Sequence, residues 1–241
     1  MLSNRSLNEW INRVAKKHRE FMLRELSPEQ NEKIRQWVEV TFVGSTLGLE
    51  GSAVTEVDLA GAAAAAQARR ATTPGANLEA VALLAGLRLL KDIALAQGSA
   101  ATLTPELLLK LHVGSGAFRR SPGGTGRPVA PEHLQASVES ACRWFGAESF
   151  AELNPIEQAS IVHLRLLEIQ PFEEANQRIA ILAASLFTLR GGLPPVMIVP
   201  DLEGAYRKAV DESGSGNTQP MVELMGTVVE RSLGRMIELA V

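Results

Sequence analysis

Glu173, Glu174, Asn176 and Arg178 stand within the short stretch QPFEEANQR, Gln170 to Arg178, between two strongly apolar segments. A residue before proline is pushed out of the helical region, so the helix that begins at Pro155 is expected to end near Ile169, with Gln170-Pro171 turning the chain. Asn176 is the expected N-cap of the next helix, which runs through QRIAILAASLFTLR to Gly191-Gly192. The loop from Gln170 to Ala175 then lies over a helix N-terminus, where free N–H groups and the helix dipole favour an anion. Arg178 adds a cationic fork suited to phosphate, and Glu174 beside it could hold Mg²⁺ through nucleotide phosphates. A simpler reading of the same residues is a capping loop whose Glu173 and Glu174 are merely solvated.

The elements that must position this loop are helices. The chain has 241 residues, 46% of them hydrophobic but only 5% aromatic, with long Ala and Leu runs and few β-branched clusters. Helix starts recur as Ser27-Pro28-Glu29, Thr104-Pro105-Glu106 and Asn154-Pro155-Ile156-Glu157, each a capping side chain before a first-turn proline. Thr55-Glu56-Val57-Asp58 is a weaker start of the same kind. Apolar residues fall at helical spacing between these signals and predict about seven to nine helices. One segment departs from this: GSGAFRRSPGGTGRPVAP, residues 114–131, is expected to be an extended loop or short hairpin. It is not a P-loop, because no Gly-Lys-Ser/Thr closes it. We divide the chain into an N-terminal helical region, 1–100, and a core with C-terminal helices, 101–241.

The formal charge of −3 supplies no basic field for nucleic acid or an anionic membrane. No apolar run reaches the roughly 18 residues of a membrane span, and the N-terminus has no signal-peptide run, so a cytoplasmic protein is expected. The one cysteine, Cys142, falls in an amphipathic segment and reads as a buried thiol.

The stretch Gln170 to Arg178 resembles the signature of the Fic/Doc superfamily, His-x-Phe-x-(Asp/Glu)-(Gly/Ala)-Asn-(Gly/Lys)-Arg. Around it, LTPELLLKLHVGSGAFRR resembles the segment leading into the family's flap, with Gly116 and Arg119 at its Gly-x-x-Arg positions. LRGGLPPVMIVPDLEGAYRKAV resembles the family's exit, and Thr46-Leu47-Gly48-Leu49-Glu50-Gly51 resembles its (Ser/Thr)-x-x-x-Glu-(Gly/Asn) inhibitory helix. The resemblance implies an all-α Fic fold, a helical bundle with a short β-hairpin flap and an N-terminal helical extension. It implies ATP with Mg²⁺ as the ligand, with Glu174 on the metal, and Asn176 and nearby amides of Ala175 and Gln177 forming an anion hole. Arg178 would then grip the phosphates and Phe172 would anchor the loop. It further implies inhibition through Thr46, Glu50 and Gly51, a flap around Gly116, Arg119 and Arg127 that aligns a target protein, and a homodimer. Read without it, Arg119, Arg120 and Arg127 are equally solvated loop charges.

The match is incomplete. The family's catalytic base is the histidine that opens the motif, and this chain has Gln170, an amide that cannot take a proton from a hydroxyl at neutral pH. That loss is worth about 10²–10⁴-fold in rate. His163 lies about 10 Å back along the helix and reads as a satisfied buried histidine. Ile181 stands where AMP-transferring members carry a second arginine, the mate of the inhibitory glutamate, and Ala175 matches the Doc branch. Three functions follow from the resemblance: an impaired AMP transferase, a non-catalytic nucleotide- or protein-binding pseudoenzyme, and a Doc-like protein phosphotransferase of a toxin system.

Overall fold

Proline-primed caps set the frame of the fold. In the computed structural model, which describes residues 4–52, 55, 58, 61, 77–112, 117–123 and 128–241, Ser27 and Asn154 each close a capping box, and the Thr104 hydroxyl accepts from Leu107 N–H. Thr55 and Asp58 make the same reciprocal bonds. Each cap satisfies N–H groups that would otherwise be orphaned at a helix start. The Ala-rich residues 62–76 lie outside the described residues.

Ten α-helices are present among the described residues, more than the pattern of apolar spacing suggested. They are α1 (Asn4–Met22), α2 (Pro28–Gly48), α3 (Leu78–Gln97), α4 (Pro105–Leu111), α5 (Pro131–Phe145), α6 (Glu148–Ala151), α7 (Pro155–Ile169), α8 (Asn176–Arg190), α9 (Glu203–Ser213) and α10 (Gln219–Leu239). The additional members include the single turn α6, too short for a periodic apolar pattern to register. No strand forms among the described residues. The expected β-hairpin flap is therefore corrected: residues 117–123 and 128–130 are irregular, and 113–116 and 124–127 lie outside the described residues. No helix is long and apolar enough to cross a membrane.

Helix α8 is the axle of the bundle. Every residue from Ile179 to Thr188 is buried, so the helix is enclosed on all sides; its two polar members, Ser185 and Thr188, donate their hydroxyls to backbone carbonyls. Helix α7 lies along it, and α2, α3 and α4 cover its other faces, while α1 packs on α10. Phe145, Phe150 and Phe187 meet edge-to-face or tilted beside the far end of α8. The near end, its N-terminus at Asn176, is where the loop from Gln170 to Ala175 enters.

His163 and Cys142 belong to this interior. The Cys142 thiol is buried, which pushes its pKa up to about 12 and removes it as a nucleophile. His163 is fully buried, its Nε2 3.0 Å from the Tyr206 hydroxyl, and burial lowers its pKa to about 4. Because the folded pKa lies below the ordinary 6.5, the stability tied to neutral His163 is complete above pH 6.5 and is lost as pH falls toward 4. The total is about 3 kcal/mol across that window. Denaturant unfolding of His163→Gln, which keeps a partner for Tyr206 but cannot titrate there, should show a shallower loss of stability between pH 6.5 and 4 than the parent. An identical pH profile would contradict this placement.

Candidate functional site

Helix α7 stops because Gln170 adopts the left-handed conformation, φ 48°. The carbonyls this exposes are met by Arg119, which is only 4% exposed. Its Nε donates to Gln170 O at 2.5 Å and one terminal nitrogen reaches Ile169 O at 3.3 Å, while the guanidinium also holds Ser121 O at 2.5 Å and Val129 O. Its own N–H donates to Pro171 O at 2.9 Å. A guanidinium with no acceptor of its own suits a cluster of carbonyls at a helix C-terminus, where the dipole favours a cation. The solvated reading of Arg119 is corrected: the side chain is buried and ties the loop to the segment before α5. Gly116 and Arg127 lie outside the described residues.

Glu173 makes the second tie. Its carboxylate accepts from the Ser121 hydroxyl at 2.5 Å and from the N–H groups of Arg120 and Ser121 at 3.0 and 3.2 Å. These donors, the Ser121 hydroxyl foremost, hold its pKa below the usual carboxylate range. A merely solvated Glu173 is therefore also corrected.

Phe172 anchors the loop as expected, 1% exposed, with the His112 ring stacked on it at 4.2 Å and Phe118 tilted against it at 5.7 Å. Its peptide is clasped by Asn176: Phe172 N–H donates to Oδ1 at 2.9 Å and Nδ2 donates to Phe172 O at 2.7 Å. Asn176 is thus the first residue of α8 rather than its cap. The cap position belongs to Ala175, in the left-handed region at φ 66° with no side-chain bond to the helix. The Asn176 amide works within the loop, which leaves the backbone of the first turn as the donor to an anion. Gln177 is half-buried on this turn.

That donor is engaged. Arg178 N–H donates to Glu50 Oε1 at 3.1 Å, and its Nη1 donates to Glu50 Oε2 at 3.0 Å and to Glu79 Oε1 at 2.6 Å. Glu50 lies in the turn after α2, where Gly51 takes φ 79°, a conformation glycine adopts without strain. Thr46 is buried and its hydroxyl makes no hydrogen bond among the described residues. Ile181 is 1% exposed and packs in the core. The expectation that its identity leaves Glu50 without a mate is overturned, because Glu50 takes Arg178 itself. Burial raises the Glu50 pKa against the pull of Arg178, and neighbouring Glu79 adds to the rise.

Glu174 is exposed, and its carboxylate makes no hydrogen bond or ion pair among the described residues, so it is available to a cation. No group of three or more metal-ligating side chains exists among them. A single carboxylate fits Mg²⁺ carried in on phosphates and does not fit a metal held by protein alone. Sequence reasoning missed two neighbours of the site. His112 stacks under the loop, and burial followed by the nearby Arg178 charge lowers its pKa. Glu79 reaches Arg178 across 99 residues of chain, a separation no local motif could bridge.

Residues 100–188 match the Fic/DOC family model. Over 127 residues the chain is 31% identical to the protein adenylyltransferase fic-1 of Caenorhabditis elegans, a match that takes in 52% of this chain and 25% of that protein. It is 27% identical over 142 residues to the protein adenylyltransferase Fic of Drosophila melanogaster, covering 54% and 29%. The chain thus spans only about a quarter of the length of such curated relatives. In fold it resembles C. elegans Fic-1 residues 134–508, with TM-score 0.79 at 24% identity over 96% of this chain and 71% of that one. A Fic domain containing signaling protein from Bacteroides thetaiotaomicron gives 0.77 at 23% identity, over 96% and 97%.

Proposed function

We propose that this chain, whose residues 100–188 match the Fic/DOC family model, carries an adenylyltransferase-type nucleotide site whose transfer chemistry is impaired at Gln170. The observation that carries this reading is the oxyanion already seated there: the Glu50 carboxylate accepts from both the backbone N–H and the guanidinium of Arg178. A carboxylate oxygen is a stand-in for a phosphate oxygen, and a helix N-terminus with an arginine in its first turn grips either.

In the reaction so assigned, a hydroxyl oxygen of a target protein attacks the α-phosphorus of ATP, the bond to the β-phosphate oxygen breaks, and pyrophosphate leaves. Arg178 and the first-turn N–H groups hold the phosphates and stabilise charge that develops on them. Glu174 would hold Mg²⁺, which when bound neutralises phosphate charge. Asn176, Phe172, Glu173 and Arg119 keep the loop in place. What is missing is a proton acceptor for the attacking hydroxyl, since Gln170 occupies the base position. His163 cannot replace it, being fully buried against Tyr206.

Glu50 competes with the nucleotide for Arg178 and so holds the site closed, with Gly51 shaping its turn and Thr46 buried in the helix behind it. Calorimetric titration of ATP into the parent protein should give weak, Mg²⁺-dependent binding that Arg178→Ala abolishes. Equal binding by the parent and by Arg178→Ala would sink the assignment.

A further inference from the structure

Resting on that reading of the α8 N-terminus, we propose that Glu79 is a second carboxylate latch on Arg178, which a nucleotide must displace in addition to Glu50. A guanidinium Nη1 carries two N–H groups, and here one goes to Glu50 Oε2 and the other to Glu79 Oε1. With both protons spent, this nitrogen has nothing left for a phosphate oxygen. The cluster of one arginine and two glutamates also has a net negative charge, which opposes an incoming triphosphate at short range.

The two latches differ in mounting. Glu50 sits in a turn, and its carboxylate side chain is 19% exposed. Glu79 sits in the first turn of α3, whose start is fixed by the Asn77 side chain accepting from Glu79 N–H at 3.0 Å and Ala80 N–H at 3.1 Å. Ala80, Leu83 and Leu84 are buried, and α3 packs on α8. The backbone of Glu79 is therefore fixed relative to Arg178, and rotation of its side chain, 46% exposed, opens the latch. An acidic residue in a first helical turn is favourable by itself. That role needs no contact with Arg178, so the 2.6 Å contact calls for a separate account.

The test is calorimetric titration of Mg-ATP into the parent, Glu50→Ala, and Glu50→Ala combined with each of Glu79→Gln, Glu79→Asp and Asp92→Asn. Asp92 is an exposed acid on α3 well away from Arg178 and controls for net charge. Relative to Glu50→Ala alone, Glu79→Gln should tighten binding roughly 2- to 5-fold, the scale of a partly exposed ion pair. Glu79→Asp, charged but one methylene too short for the contact, should behave like Glu79→Gln, and Asp92→Asn should change nothing. Affinity unchanged or weakened by Glu79→Gln overturns the latch while leaving the nucleotide site standing. So does a tightening that Asp92→Asn reproduces or Glu79→Asp abolishes. A folded Glu50→Ala, Glu79→Gln protein that binds no ATP overturns the nucleotide reading, and the latch with it.

Discussion

Arg119→Ala is expected to lower the unfolding free energy by about 3–5 kcal/mol, the cost of removing a buried cation and orphaning the carbonyls around it. For a chain of this size that corresponds to a fall in melting temperature of roughly 6–20 °C. The reasoning is one of satisfaction: Gln170, Ile169, Ser121 and Val129 all present carbonyls to one guanidinium. Alanine can answer none of them, and lysine, with a point charge in place of a planar fork, can answer only some. Arg119→Lys should therefore fall between alanine and the parent. Denaturant unfolding measures both variants. A change within about 0.5 kcal/mol for Arg119→Ala, as for an ordinary surface arginine, would contradict the buried clamp.

Gln170→His, introduced together with Glu50→Ala, is expected to raise AMP transfer to protein by about 10²–10⁴-fold over Glu50→Ala alone, the usual worth of a positioned general base. The backbone accepts the change, since position 170 lies at φ 48° and histidine is among the residues enriched in that left-handed region. The Glu50→Ala partner is needed because a base is useless while Arg178 is bound to a carboxylate. ATP labelled on the α-phosphate reads the transfer, and the same experiment with γ-label separates it from phosphate transfer. Label at background in the doubly substituted protein would favour a non-catalytic module. Label from the γ-phosphate alone would favour the Doc-like chemistry that Ala175 resembles.

The site was legible where its chemistry is contiguous. Glu174, Asn176 and Arg178 read as a candidate anion-binding turn because a helix start and the polar groups around it are encoded within a few residues. Proline-primed caps such as Asn154-Pro155 likewise state their structure locally. Arg119 illustrates the opposite case: an arginine in a Gly- and Pro-rich stretch reads as solvated, and only the fold brings four carbonyls onto it. The sequence puts the cap at Asn176, one residue after the observed one; the Asn176 amide has a better use in clasping both sides of the Phe172 peptide. Ala175 then takes the cap position by adopting backbone angles no propensity would assign to alanine. The motif assigns Glu50 to inhibition, but only the fold shows what its carboxylate meets: Ile181 lies in the core and Arg178 holds Glu50. Glu79 carries no motif signal at all.

If the N-terminus of α8 is a nucleotide site occupied by Glu50, ATP affinity differs between the parent and Glu50→Ala, each titrated with and without Mg²⁺. Removing a carboxylate held by two charge-assisted hydrogen bonds should tighten Mg²⁺-dependent binding roughly 10- to 100-fold. Equal affinity in the two proteins, or none in a folded Glu50→Ala, would contradict that reading of the site.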